Sequence, residues 1–167
     1  MTLFRRFCVL VAIMFWQGGF MFYGAVVVPV GTEVLGSHQT QGFVTRSVTN
    51  YLNIAGIVAL AFWMWDITSS RYAAVGRRRL RWALWLLLLL TLGLLAWLHV
   101  MMDQCLDIES QQILDRGRMR YLHVWYLNIS TIQWAASLML VALTLLTWKA
   151  EDCNRAKSDH DPQQAAK

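Results

Sequence analysis

Four long apolar segments constrain this chain more than any other feature of its sequence. They run from about residue 7 to 30, 51 to 67, 80 to 102 and 122 to 148, and none has an acidic or basic side chain at its centre. A helix needs about 20 mostly apolar residues to cross the hydrocarbon core of a bilayer. The sequence therefore predicts an all-α, polytopic membrane protein built as a four-helix bundle.

The amino-acid composition excludes a soluble or a disordered chain. Of 167 residues, 57% are hydrophobic and 15% are charged, whereas an average soluble domain is about a quarter charged. Disordered chains are poor in apolar residues and rich in charge, which is the opposite balance. We expect residues 1–150 to form one transmembrane domain and the polar residues 151–167 to form a disordered tail.

Positive charge is distributed unevenly between the two sides of the predicted bundle. Eleven of the 15 Lys and Arg residues lie in the N-terminus, in the connection between the second and third spans, or in the tail. The positive-inside rule then places both termini in the cytoplasm and the chain in the inner (cytoplasmic) membrane. This distribution also explains the net charge of +5, so no nucleic-acid partner is predicted.

The connections between the spans carry three local predictions. Thr40 is predicted to cap a helix that runs on into the second span. Residues 107–114 are predicted to form a short surface helix. Asp66, at the end of the second span, is expected to pair with an arginine of the following connection, either within Arg77–Arg79 or at Arg81.

Small and polar residues recur along the faces of the first, second and fourth spans. Small residues let membrane helices approach closely, and polar side chains hydrogen-bond across the contact. Two interpretations stay open: these residues are packing faces of the bundle, or they line a small pocket for an amphiphile. The positions are Gln17, Gly18, Gly24, Asn53, Gly56, Ser130, Gln133 and Ser137.

Two histidines near predicted span ends are the residues best suited to hold a metal. His99 ends the third span, His123 begins the fourth, and Met102 shares the helix face of His99. Imidazole and thioether groups suit copper, and two imidazoles can hold a haem iron. In the other interpretation, both histidines bond at the interface to carbonyl groups or to Asp103, and no cofactor is expected.

The predicted spans contain no nucleophile beside a base and no pair of carboxylates, so the sequence favours a non-enzymatic protein. Its expected partners are membrane lipid and, within the bilayer, a small molecule, another membrane protein or a second copy of the chain. The alternative is a metal-handling or redox membrane protein with a copper or haem site at His99 and His123.

The first span contains a recognisable pattern. Trp16-Gln17-Gly18-Gly19 is followed by Phe22, and Pro29 stands at the end of the span. Over about the first 65 residues, the chain resembles a family of small four-span bacterial inner-membrane proteins of unknown function. That family is similar to the copper-resistance D membrane proteins and to a eukaryotic four-span family. The resemblance implies a four-span fold and points to metal handling, but it assigns no ligand to His99 or His123.

Overall fold

Four long helices make up almost all of the computed structural model, which describes residues 2–70, 75–107 and 112–160. Each helix is long and apolar enough to cross a membrane. The predicted all-α four-helix bundle is thus confirmed, and each predicted span lies within one helix. The helices are α1 (Thr2–Leu35), α2 (His38–Ser69), α3 (Val75–Asp103) and α4 (Arg116–His160).

A short antiparallel hairpin joins α3 to α4. Strand β1 (Leu106–Asp107) pairs with β2 (Gln112–Ile113), and Leu106 lies opposite Ile113. The surface helix predicted for residues 107–114 is therefore wrong at the residues that the structure describes. A helix of this length is marginal on its own, whereas strand pairing satisfies the backbone groups of both segments.

Local backbone chemistry sets the ends of the helices. Gly36, with φ of +64°, ends α1 in the left-handed conformation that glycine adopts without steric cost. Ser37 caps α2 and accepts a hydrogen bond from the Thr40 amide at 3.3 Å. The predicted cap at Thr40 is therefore misplaced, although α2 does run without a break into the second span. Asp115 Oδ1 accepts from the Arg118 amide at 2.9 Å and caps α4 in the same way.

The last helix is longer than the sequence predicts. The disordered tail predicted for residues 151–167 is wrong for residues 151–160, which continue α4 as far as His160. Residues 161–167 lie outside the described part of the chain. The physical reason for the extension is that Glu151 is buried in contact with α1, which the polar composition of the segment does not reveal.

The two halves of the bundle are packed differently. We call the end that contains Arg5, Asp66 and Glu151 the proximal end, and the opposite end the distal end. In the proximal half and the middle, all four helices contribute to one apolar core. Its buried members are Val9, Trp16, Ala59, Leu60, Trp63, Leu84, Leu88, Leu92, Ala136, Leu140 and Trp148.

The distal half is divided into two helix pairs. A second apolar core there comes from α3, α4 and Cys105 between them, and none of its members that the structure describes belongs to α1 or α2. Within α1, no residue of Gly19–Leu35 is buried. Helix α1 is also irregular, because Met14–Gly18 and Tyr23–Val27 are π-helical turns. The distal part of α1 is therefore the least packed of the four helix ends.

A close approach of α1 to α2 fixes the middle of the bundle. The indole of Trp16 fills the space beside Gly56, where a Cβ would lie 2.9 Å from its ring atoms Cε2 and Nε1. Trp16 is 3% exposed, so its ring has little freedom to move aside. Only glycine fits at residue 56 without displacing α1.

Replacing Gly56 with alanine should destabilise the protein by about 1–3 kcal/mol, the usual cost of overpacking a well-packed contact. The matched control is Gly93→Ala on α3, because no atom lies within 4 Å of a Cβ there. Alanine is the better helix former, so the control should not lower the melting temperature. The measurement is thermal unfolding of both variants in detergent. Equal melting temperatures of Gly56→Ala and Gly93→Ala would contradict the close contact between Trp16 and Gly56.

Candidate functional site

A lateral groove with a volume of about 270 Å³ opens between α1 and α4. Its lining is aromatic and apolar, with one hydroxyl group and no charged side chain. Because the lining comes from the sides of two helices and not from their ends, the groove faces the region where lipid would surround the bundle. The lining residues are Phe20, Met21, Gly24, Ala25, Thr131 and Trp134.

Two buried polar side-chain atoms of the same two helices lack a hydrogen-bond partner in the described part of the chain. They are Oε1 of Gln17 and Oγ of Ser130, in side chains that belong to residues 9% and 4% exposed. Gln17 lies one helical turn before Met21, and Ser130 adjoins Thr131. Buried polar atoms are nearly always hydrogen-bonded, so both atoms are exceptions in this bundle, and neither residue belongs to the groove lining.

The small and polar residues predicted along the faces of the first, second and fourth spans are divided between helix packing and the groove. Gly24 lines the groove, whereas Gly56 accommodates Trp16. Gln133 packs across the bundle, because its Nε2 donates to Thr91 Oγ1 on α3 at 3.4 Å. Three further residues of this set have other environments: Ser137 is fully buried, Asn53 is half-buried and Gly18 is exposed.

The two histidines predicted as metal ligands occupy different environments. His99 is 8% exposed and its Nε2 has no hydrogen-bond partner in the described part of the chain. His123 lies on the exposed surface of α4. Met102 is half-buried and packs against the distal core that contains Cys105. Among the residues that the structure describes, no group of three or more His, Cys, Asp or Glu side chains could hold a metal. The predicted copper or haem site stays a prediction.

Charged side chains from all four helices meet at the proximal end. We call them the ionic cluster, and it contains three arginines and three carboxylates, so it is formally neutral. The expected pairing of Asp66 with an arginine of the following connection is confirmed, and the partner is Arg81. The members are Arg5, Arg6, Asp66, Arg81, Glu151 and Asp152.

Asp66 is the centre of the ionic cluster and is fully buried. Its Oδ2 accepts from Arg81 Nη2 at 2.5 Å, and its Oδ1 accepts from the Trp148 indole at 3.0 Å. Nε of Arg5 lies 2.8 Å from the same Oδ1. One carboxylate therefore contacts the other three helices. Removing one partner of such a buried pair costs about 3–5 kcal/mol, because it leaves an uncompensated charge.

The remaining members of the ionic cluster join the start of α1 to the end of α4. Arg5 Nη2 donates to Glu151 Oε2 at 3.0 Å. Arg6 makes a bidentate contact with Asp152, with both N–O distances at 2.9 Å. The Arg6 guanidinium also lies 5.4 Å from the centre of the Trp148 ring, within cation–π range.

The α1–α4 part of the ionic cluster is what sequence reasoning missed. Arg5 and Glu151 are 146 positions apart, and each has the sequence context of a solvated charge flanking an apolar span. The sequence did contain a feature that could have indicated this pair, because Arg5 and Glu151 each stand about one helical turn from the predicted end of a span. At the distal end, Arg46 and Asp103 form a separate, half-exposed ion pair between α2 and α3, at 2.6 and 2.9 Å.

No family model, no curated protein and no solved structure matches this chain. The resemblance of the first span to four-span bacterial membrane proteins therefore stays a prediction, and the function is argued from the geometry.

Proposed function

We propose that the chain is a non-enzymatic, multi-pass protein of the inner (cytoplasmic) membrane that holds a neutral amphiphile from the bilayer in the lateral groove. One observation carries the proposal: the groove between α1 and α4 is lined by apolar and aromatic side chains, with the hydroxyl of Thr131 and the indole of Trp134 among them. Apolar walls with a few convergent polar groups are typical of sites for small molecules.

The chemistry of the groove favours a head group without charge. Its lining contains no ionisable side chain, and the arginines of the ionic cluster are already paired with carboxylates. Desolvating an ion without a partner is far more costly than desolvating a hydroxyl or a carbonyl. The hydroxyl of Thr131 suits a hydroxyl or carbonyl head group, while Phe20 and Met21 suit an alkyl chain.

A bulky side chain that fills the groove should strongly reduce binding of the neutral amphiphile. The variant is Gly24→Phe, because no atom lies within 4 Å of a Cβ at this position and the new ring can enter the groove without moving the backbone. The matched control is Gly93→Phe on α3, where the surroundings of a Cβ are equally open. The probe is a monoacylglycerol with a photoreactive diazirine, and the measurement is covalent labelling of the protein in nanodiscs.

We expect strong labelling of the parent chain and of Gly93→Phe, and a several-fold loss in Gly24→Phe. Equal labelling of the two variants would contradict binding in the groove. Equally strong labelling by a diazirine fatty acid, which carries a carboxylate, would contradict the preference for a neutral head group.

The proposed orientation places both termini in the cytoplasm, and the asymmetric distribution of Lys and Arg supports it. A fluorescent protein that folds only in the cytoplasm, fused after Lys167, should therefore fluoresce. An alkaline phosphatase that is active only in the periplasm, fused at the same residue, should be inactive. The reverse pattern of the two reporters would overturn the orientation.

As the alternative, we propose a copper or haem site at His99, with Met102 and His123 as further ligands. The observation in its favour is the buried Nε2 of His99, which has no partner in the described chain. Protein purified after growth with iron and copper should then show a haem Soret band or bound copper. The signal should disappear in His99→Ala and persist in the control His38→Ala, and protein with neither haem nor copper would refute this site.

A further inference from the structure

The hydrogen bonds and ion pairs that join α1 to α4 in the described chain all lie at the proximal end. They involve the first turns of α1 and the last turns of α4, and most belong to the ionic cluster. Beyond them, Arg155 donates to Thr2 Oγ1 at 2.7 Å. The contacts inside the cluster are those of Arg5 and Arg6 with Trp148, Glu151 and Asp152.

The distal part of α1 is attached to α2 instead. Tyr23 Oη donates to Thr45 Oγ1 at 3.1 Å, and Gln41 Nε2 donates to Tyr23 Oη at 3.2 Å. No residue of Gly19–Leu35 is buried. Moving this segment away from α4 exposes little apolar surface and breaks none of the described polar contacts with α4, but it breaks the two hydrogen bonds of Tyr23 with α2.

The backbone of α1 has an irregular turn between its two differently packed parts. The π-helical turn Met14–Gly18 contains Trp16, the last buried residue of α1 in the four-helix core, and stops just before the groove-lining residues. Single π-helical turns interrupt the regular hydrogen-bond ladder, and helices bend at such turns. Trp16, inside this turn, is held against Gly56 of α2, so bending is confined to the residues beyond it.

We propose that the distal part of α1, Gly19–Leu35, is a lateral gate to the groove. It moves away from α4 and widens the groove, which already opens to the side of the bundle, while the ionic cluster keeps the proximal ends of α1 and α4 together. The hinge is Gly18, the exposed last residue of the π-helical turn, where no atom lies within 4 Å of a Cβ. The identity of the admitted molecule rests on the proposed function, but the movement of the gate itself does not.

The test measures distances between spin labels on α1 and α4 in nanodiscs. The gate pair is Phe22→Cys with Ile132→Cys, at two exposed positions, in a chain whose native cysteines are replaced by serine or alanine. The matched control pair is Leu3→Cys with native Cys153, also at exposed positions near the ionic cluster. All labels point to the surface, so labelling leaves the cores intact.

We expect the gate pair to give a broad distance distribution with a second population displaced outward by several ångströms. The control pair should give one narrow distribution. A gate pair as narrow as the control pair, both with and without monoacylglycerol, would overturn the gate. A gate that moves in a protein that no probe labels would instead contradict the proposed function and leave the gate standing.

A second measurement tests the role of the ionic cluster. Arg6→Asp places a negative charge beside Asp152 and should broaden the control-pair distribution, whereas the double variant Arg6→Asp, Asp152→Arg should narrow it again. Asp103→Asn breaks the distal ion pair between α2 and α3 and should leave the control pair narrow. A control pair that stays narrow in Arg6→Asp would show that the contact of Arg6 with Asp152 does not hold α1 to α4, because Arg5 still contacts Glu151 in that variant.

Discussion

The buried carboxylate of Asp66 is the group on which the arrangement of the bundle depends. It is fully buried, and an unpaired charge in that environment would be prohibitive. Its oxygens therefore require the guanidinium of Arg81, the indole of Trp148 and the guanidinium of Arg5 at the same time. These partners come from three different helices, so the requirement brings all four helices together at one end and sets their relative heights.

The position of the groove follows from that constraint. Because the ionic cluster and the four-helix core lie in the proximal half and the middle, the described distal half has no core shared by all four helices, and the Arg46–Asp103 ion pair joins α2 to α3 there. The gap between α1 and α4 is the lateral groove, and it begins where the contacts of Trp16 end.

The ionic cluster shows that arginines near the proximal end have a structural role in the bundle. Arg5, Arg6 and Arg81 each face a carboxylate, so they join helices. The span centres carry no formal charge, and the buried charges lie at one end, where they organise the bundle without placing an ion in mid-membrane.

The sequence by itself determined the four spans, the all-α fold and the pairing of Asp66 with an arginine of the next connection, because apolar length and nearby charges are local properties. It did not determine which face of each helix turns inward. Periodicity places His99 and His123 at neighbouring span ends, yet the rotation of each helix buries one and exposes the other. The same rotation assigns Gly24 to the groove and Gly56 to packing. The contact between Arg5 and Glu151, 146 positions apart, was likewise decided only by tertiary structure, since the energy of a buried ion pair depends on distance in space and not on distance along the chain.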